Sequence, residues 1–185
     1  MKTNENIALY VLRLAGTLLL ICAITAGLLA GVNAVTAPII AQLNAEKTQQ
    51  AIMKVLPSGF ETEITDFADE SGLVSRIYKG ADGYAVEVGP SGFDNTITMM
   101  VGIDNEGKVI GISIISHTET AGLGATAAAG TSAGEAFRGQ FAGMSGTISV
   151  SKDGGQVDAL TGATITSRAV CLGVSAAVAC AANLG

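Results

Sequence analysis

The chain has 185 residues, 49% hydrophobic and 4% aromatic with no Trp, which allows one soluble domain of ordinary size plus a membranous segment. Its formal net charge is −6, and from Gln42 onward eight Lys/Arg stand against fifteen Asp/Glu. That balance excludes the basic footprint of a nucleic-acid binder. It leaves any bound phosphate to backbone and hydroxyl groups, or to a covalent bond.

Met1 to Arg13 is a short polar head carrying Lys2, Glu5 and Arg13. Leu14 to Ala41 contains no charged residue, and Leu14–Val35 reaches the roughly 20 apolar residues that span a bilayer core. The spacing predicts a retained transmembrane helix. A cleaved signal peptide is the rival reading, but its apolar centre is usually shorter and no small-x-small site follows. Lys2 and Arg13 on one side and Lys47 and Lys54 on the other give little charge bias for orientation. Asn44–Val55 reads as a polar, helix-compatible connector, stopped by Pro57-Ser58-Gly59. Glu61–Ser71 carries five carboxylates at a spacing that matches no calcium loop, and reads as a solvated linker.

From Leu73 the hydrophobic period is two. Leu73–Lys79, Gly83–Val88, Thr96–Ile103 and Lys108–Ser116 are predicted strands, with turns at Gly80–Gly83 and Asp104–Gly107. They form an antiparallel meander with one buried face. His117-Thr118-Glu119-Thr120-Ala121-Gly122-Leu123-Gly124 follows directly. His117 is the single histidine, and without a Cys/His/Glu cluster at ligand spacing no zinc site is expected. On the residues alone this loop is a turn. Thr131–Phe141 reads as an amphipathic helix with Ala133, Ala136, Phe137, Gln140 and Phe141 near one face, and Thr147–Val150 as a short strand. Ile165–Leu184 reads as the final helix, with Thr166 and Ser167 as candidate N-caps. Cys171 and Cys180 lie nine residues apart on it, about 13.5 Å of rise, too far for a disulfide. They read as small core residues. The chain carries no dinucleotide fingerprint and no cysteine cluster for an iron–sulfur centre.

Just before that helix stands Asp158-Ala159-Leu160-Thr161-Gly162-Ala163-Thr164. A Thr164 hydroxyl at a helix N-terminus can cap the helix, bind a phosphate, or carry a phosphate ester. The string matches the flavinylation motif Asp-x-x-Ser/Thr-Gly-Ala-Thr. The chain resembles the FMN-binding domain family shared by the RnfG and NqrC subunits of ion-pumping respiratory complexes. The His117–Gly124 loop is similar to that family's His-x-Glu-Thr-Pro-Gly-Leu-Gly, with Ala121 where Pro is common. The resemblance spans essentially the whole chain, including the single anchor.

The resemblance implies FMN attached through its phosphate to Thr164. It places Thr161, Gly162 and Ala163 around the attachment point and His117, Glu119 and Thr120 beside the flavin. Asp158 would repel a phosphate, so its role is recognition by a flavin transferase or capping of a turn. No separate catalytic residue and no metal ligand are expected. The implied fold is α+β, an N-terminal transmembrane helix followed by an FMN-binding domain with an antiparallel sheet flanked by helices. The implied organisation is a cytoplasmic segment 1–13, a transmembrane helix 14–36, a connector 37–72 and an extracytoplasmic FMN-binding domain 73–185. The implied function is that of a covalent-FMN relay in a prokaryotic membrane complex, passing electrons between ferredoxin and NAD and coupled to Na⁺ or H⁺ translocation. Its partners are the other Rnf-type subunits, the flavin transferase and the bilayer. Two alternatives remain. One is an NqrC-like component of a Na⁺-pumping NADH:quinone reductase. The other is an anchored, non-redox binding or assembly protein in which Thr164 is only a cap.

Overall fold

The computed structural model describes residues 2–184, with side chains from residue 9. Met1, and the side chains of the remaining N-terminal residues through Ala8, lie outside the described residues, so Lys2 and Glu5 of the expected segment 1–13 have no side-chain description. Two compact units are present, one up to Ala45 and one from Glu46.

Helix α1 runs from Lys2 to Val55. Its Leu, Ala and Ile residues are good helix formers or apolar fillers, and its uncharged centre offers no surface for a soluble core to exploit. Within it, Leu9–Val55 contains an 18-residue window of mean hydropathy 2.3, none of it buried, long and apolar enough to cross a membrane. Pro38 sits inside the helix rather than ending it. The expected polar connector at Asn44–Val55 is therefore the last stretch of the same helix.

In the second unit five antiparallel strands lie in sequence order: β1 (Thr62–Ile64), β2 (Val74–Lys79), β3 (Gly83–Val88), β4 (Thr98–Asp104) and β5 (Val109–Ser116). The stretch read as a solvated linker thus contributes an edge strand. Its short pairing, Thr62 with Lys79 to Ile64 with Ile77, leaves Glu61 and Glu63 exposed, which is why its charge hid it. Tight turns join β2 to β3 and β4 to β5, and Gly107 supplies the positive φ (79°) the second one needs.

The sheet buries both faces, not one. Val86, Val88, Met99, Val101 and Ile103 belong to a core shared with the last helix, α3 (Thr164–Ala182), through Val170, Val174 and Ala177. The opposite face sets Tyr78, Ala85 and Met100 against Ala51, Ile52, Val55 and Leu56 at the end of α1. Alternation along each strand feeds the two clusters in turn. Gly173 lets α3 approach Pro90, since a Cβ there would lie 2.8 Å from Pro90 Cγ. Gly102 does the same for α1: a Cβ would lie 2.8 Å from Val55 Cβ. We expect Gly102→Val to lift the end of α1 from the sheet and cost roughly 1–3 kcal/mol, read as a lower denaturation midpoint.

Helix α2 (Ser132–Gly139) is capped by Thr131, whose Oγ1 accepts the Gly134 N–H at 3.3 Å. Its buried residues are Gly134 and Phe137, with Phe141 just beyond packing edge-on against Phe137 at 5.5 Å. Ala133 and Ala136, expected on the buried face, are exposed, because the two phenyl rings alone fill the contact. The expected strand Thr147–Val150 is reduced to one parallel bridge, Val150 to Val157. Both Cys171 and Cys180 are free and buried in the core, and burial raises the Cys171 thiol to about 11. Helix α3 passes a length-and-hydropathy test for a membrane span, but 67% of its most apolar stretch is buried inside this domain, so it is read as a core helix.

Candidate functional site

Helix α3 begins at Thr164, earlier than the two caps read from the sequence. Gly162 turns the chain with φ +75°, a conformation L residues avoid, and Ala163 occupies the cap position with no side-chain oxygen to offer. Thr166 and Ser167 lie inside the first turn, both buried. Ser167 Oγ accepts the Leu160 N–H at 3.0 Å and donates to the Ala163 carbonyl at 2.9 Å, which stitches the motif loop onto the helix. Ser167 N–H bonds the Ala163 carbonyl, whereas those of Thr164, Ile165 and Thr166 have no acceptor among the described residues. The helix thus starts with three free N–H groups and an empty cap beside the Thr164 hydroxyl, the arrangement that favours an anion.

Three separate loops are gathered at this point by Glu119. Its carboxylate is buried, with 7% exposure. Oε1 accepts the N–H groups of Phe93 at 2.8 Å and Asp94 at 3.2 Å, from the segment between β3 and β4. Oε2 accepts the Thr166 hydroxyl in the first turn of α3. Glycines clear the space for this side chain: a Cβ on Gly124 would come 3.0 Å from Glu119 Cβ, and one on Gly92 would collide with Glu119 Oε1. The loop after Glu119 folds on itself, the Thr120 carbonyl accepting from Leu123 and Ala125, and continues as a 3₁₀ turn at Gly124–Ala127.

A second approach comes from the 3₁₀ turn Ser151–Asp153. Arg168 on α3 holds Asp153 in a two-pronged pair, Nε and Nη2 each donating over 2.6 Å. The Arg168 guanidinium holds the Asp153 carboxyl below the usual carboxylate range. Lys152, next in the chain, donates from Nζ to Thr164 Oγ1 over 3.4 Å.

These elements enclose a cavity of about 330 Å³. Its floor is Gly162, Ala163, Thr164 and Thr166; Glu119, Thr120 and Gly124 line it, and Lys152 closes one side. Phe93, Leu123 and Ile165 supply an apolar wall, 65%, 44% and 49% exposed. A larger cavity of about 610 Å³ lies along Gln140–Gln156, but it contains no motif residue. Chemistry, not size, singles out the smaller one.

Of the residues singled out in the sequence, Gly162, Ala163, Thr164, Glu119 and Thr120 meet in this cavity. Thr161 is exposed at the turn and does not line it. His117 also lies outside the lining, half-buried, with Nδ1 buried and unpartnered among the described residues. Asp158 is exposed. Its N–H donates to Gln140 Oε1 at 2.7 Å and its carbonyl accepts from Gln140 Nε2 at 3.2 Å, while its carboxylate bonds no described residue. Its side chain caps no turn, so we expect Asp158→Ala to leave the melting temperature unchanged and to lower flavin incorporation by a transferase, measured as intact mass after co-expression. Normal occupancy would remove the recognition role. Lys152, Phe93 and Ile165 are not singled out in the sequence as site residues, Thr166 reads there only as a helix cap, and Leu123 only as part of the His117–Gly124 loop. Of the first three, Lys152 carries a signal, as a cation twelve residues before Thr164 in an acidic domain.

Comparison with known proteins places the chain in a family. Residues 92–179 match the FMN-binding domain family, and residues 2–55 match the RnfG N-terminal region. The chain is 34% identical, over 83% of its length and 85% of the relative's, to the G component of the ion-translocating oxidoreductase complex of Methanosarcina acetivorans. It belongs to the RnfG family. It is also 32% identical, over 100% of this chain and 99% of the other, to the G component of the Na⁺-translocating ferredoxin:NAD⁺ oxidoreductase complex of Acetobacterium woodii. The G component of the proton-translocating ferredoxin:NAD⁺ oxidoreductase complex of Clostridium ljungdahlii matches at 42% over 51% of each chain.

The residues of this RnfG-family cavity fit FMN. Three N–H groups with no acceptor among the described residues open the helix at Thr164, and a lysine ammonium meets its hydroxyl, where a phosphate needs donors. Gly162 and Gly124 leave the backbone bare, and Phe93, Leu123 and Ile165 offer apolar surface to a ring system.

Proposed function

We propose that the protein carries FMN covalently on Thr164 Oγ1 and serves as an electron relay in a membrane-anchored Rnf-type complex. The complex would move electrons between ferredoxin and NAD and translocate Na⁺ or H⁺. The observation that carries the reading is the Thr164 hydroxyl at the first residue of an uncapped helix, beside three free N–H groups and Lys152. A residue that only capped α3 would bond one of those N–H groups, and Thr164 Oγ1 does not.

Attachment is a group transfer from FAD by a flavin transferase. The Thr164 Oγ1–P bond forms, the P–O bond to AMP breaks, AMP departs, and the hydroxyl proton leaves to a base. When bound, FMN supplies one- and two-electron carriage. The chain's part is positional. Glu119 ties the Phe93–Asp94 segment to α3, so that the apolar wall and the phosphate donors belong to one rigid frame. The test is the intact mass and in-gel fluorescence of denatured protein co-expressed with a flavin transferase. One added FMN supports the reading, and an unmodified mass favours the non-redox binding or assembly protein.

We further propose that α1 anchors the chain in the bilayer within Leu14–Val35, with residues 1–13 cytoplasmic and the flavin domain extracytoplasmic. Full-length protein is expected to need detergent, while a chain beginning at Glu46, the start of the second compact unit, is expected to be soluble. Full-length protein recovered from the soluble fraction would count against the anchor.

A further inference from the structure

We propose that Lys152 is the counter-cation of the Thr164 phosphodiester and that the Asp153–Arg168 pair sets its position. The inference rests on the flavinylation reading above and adds the residue that neutralises the product of that step.

Charge arithmetic in the cavity motivates it. Joining FMN to Thr164 leaves a phosphodiester with one negative charge. The domain is acidic, and the cavity already holds the Glu119 carboxylate, whose two oxygens are taken by Phe93, Asp94 and Thr166. Lys152 is the one cation among the residues lining the cavity. The fractional charge of a helix terminus is about half a unit, so the N-terminus of α3 alone does not balance a full negative charge.

The placement of Lys152 is built rather than incidental. A surface lysine is a flexible stem with a mobile head. Here its backbone belongs to a 3₁₀ turn closed by Asp153 N–H to the Val150 carbonyl at 2.9 Å and ended by Gly154 at φ +84°. The next residue is clamped to α3 through Arg168, one turn of helix beyond Thr164. The clamp therefore references Lys152 to the helix that carries the attachment hydroxyl. With Asp153 paired to Arg168, Lys152 is left to the Thr164 oxygen at 3.4 Å.

The same geometry acts during the transfer. Thr164 Oγ1 bonds phosphorus as the P–O bond to AMP breaks, and an ammonium at that oxygen faces the negative charge that collects on the phosphoryl oxygens.

The experiment uses the full chain in detergent, incubated with flavin transferase and FAD, with incorporation followed as intact mass against time. We expect K152Q to incorporate FMN about tenfold more slowly than wild type, K152R to recover most of the rate, and D153N to fall between. Melting temperatures of unmodified K152Q and K152R should match wild type, because Lys152 is exposed, while D153N, which loses the pair to Arg168, serves only in the rate comparison. A second measurement removes transferase recognition as the explanation. Each protein is driven to full flavinylation and its melting temperature compared with its unmodified form. Wild type and K152R should gain more on flavinylation than K152Q. Equal incorporation rates for K152Q and wild type, no rescue by K152R, or equal thermal gains in all three would each overturn the proposal. A wild type that takes up no flavin removes the Thr164 reading and this one with it. A wild type that does so while K152Q is unaffected removes this one alone.

Discussion

Replacing Thr164 by Val is expected to abolish covalent flavin while leaving the domain folded. Val keeps the β-branched shape and removes one oxygen, and a phosphoester cannot form without it. The stability cost should be small. Thr164 is half-exposed, it caps nothing, and its one side-chain bond is a 3.4 Å contact from an exposed lysine. A loss below about 1 kcal/mol is expected, less than a true N-cap would cost. Neighbouring hydroxyls should not substitute. Thr166 is committed to Glu119 and Ser167 to Leu160 and Ala163, both inside the helix, while Thr161 lies outside the cavity lining. Co-expression with a flavin transferase, followed by mass and fluorescence of the denatured proteins, checks this. A Thr164→Val chain bearing one FMN would refute the attachment residue. In the assembled complex, electron transfer through this protein should fall to near background, since a relay lacking its carrier leaves a gap.

Glu119→Ala is expected to be the most damaging single change near the site. It leaves the N–H groups of Phe93 and Asp94 without their acceptor and the buried Thr166 hydroxyl without its own. Loss of a buried hydrogen-bonded carboxylate of this kind costs roughly 3 kcal/mol. In a domain of this size that is about 10 °C in melting temperature. Flavin incorporation should fall as well, because the Phe93 segment is no longer tied to α3. Glu119→Gln is the informative control. Its carbonyl oxygen can keep the two N–H bonds, and its amide can donate to Thr166 once that hydroxyl turns. It should recover most of the stability. Thermal melts of both variants in the unmodified state separate scaffold from cofactor effects. An unchanged melting temperature in Glu119→Ala would show that the three loops are held together by something other than this carboxylate.

Much of this protein is legible in its residues taken in order. The uncharged run from Leu14 to Ala41 reads as a long apolar helix because a bilayer-length stretch without charge has few other fates. Gly83–Val88 is recovered to the residue, and its neighbours within two, because runs rich in β-branched and apolar residues are bounded by Gly-containing turns. The turn at Gly162 and the helix start close behind it are legible because their signals are local in the chain. What the residues could not show is long-range. Helix α3 starts at Thr164 rather than beyond it because Ser167 and Thr166 are drawn inward by Leu160 and Glu119, and the second of those partners lies 47 residues away. Ala133 and Ala136 turned outward because Phe137 and Phe141 fill the space beneath α2. The edge strand Thr62–Ile64 exists through its pairing with β2 and not through any pattern of its own. Lys152 lines the cavity in a turn whose Asp153 pairs with Arg168 across 15 residues, a contact no local pattern reports. Periodicity and short motifs report contacts between near neighbours in the chain. Which buried carboxylate takes which donor, and which lysine meets which hydroxyl, is decided by packing, since those bonds form between segments that the fold alone brings together.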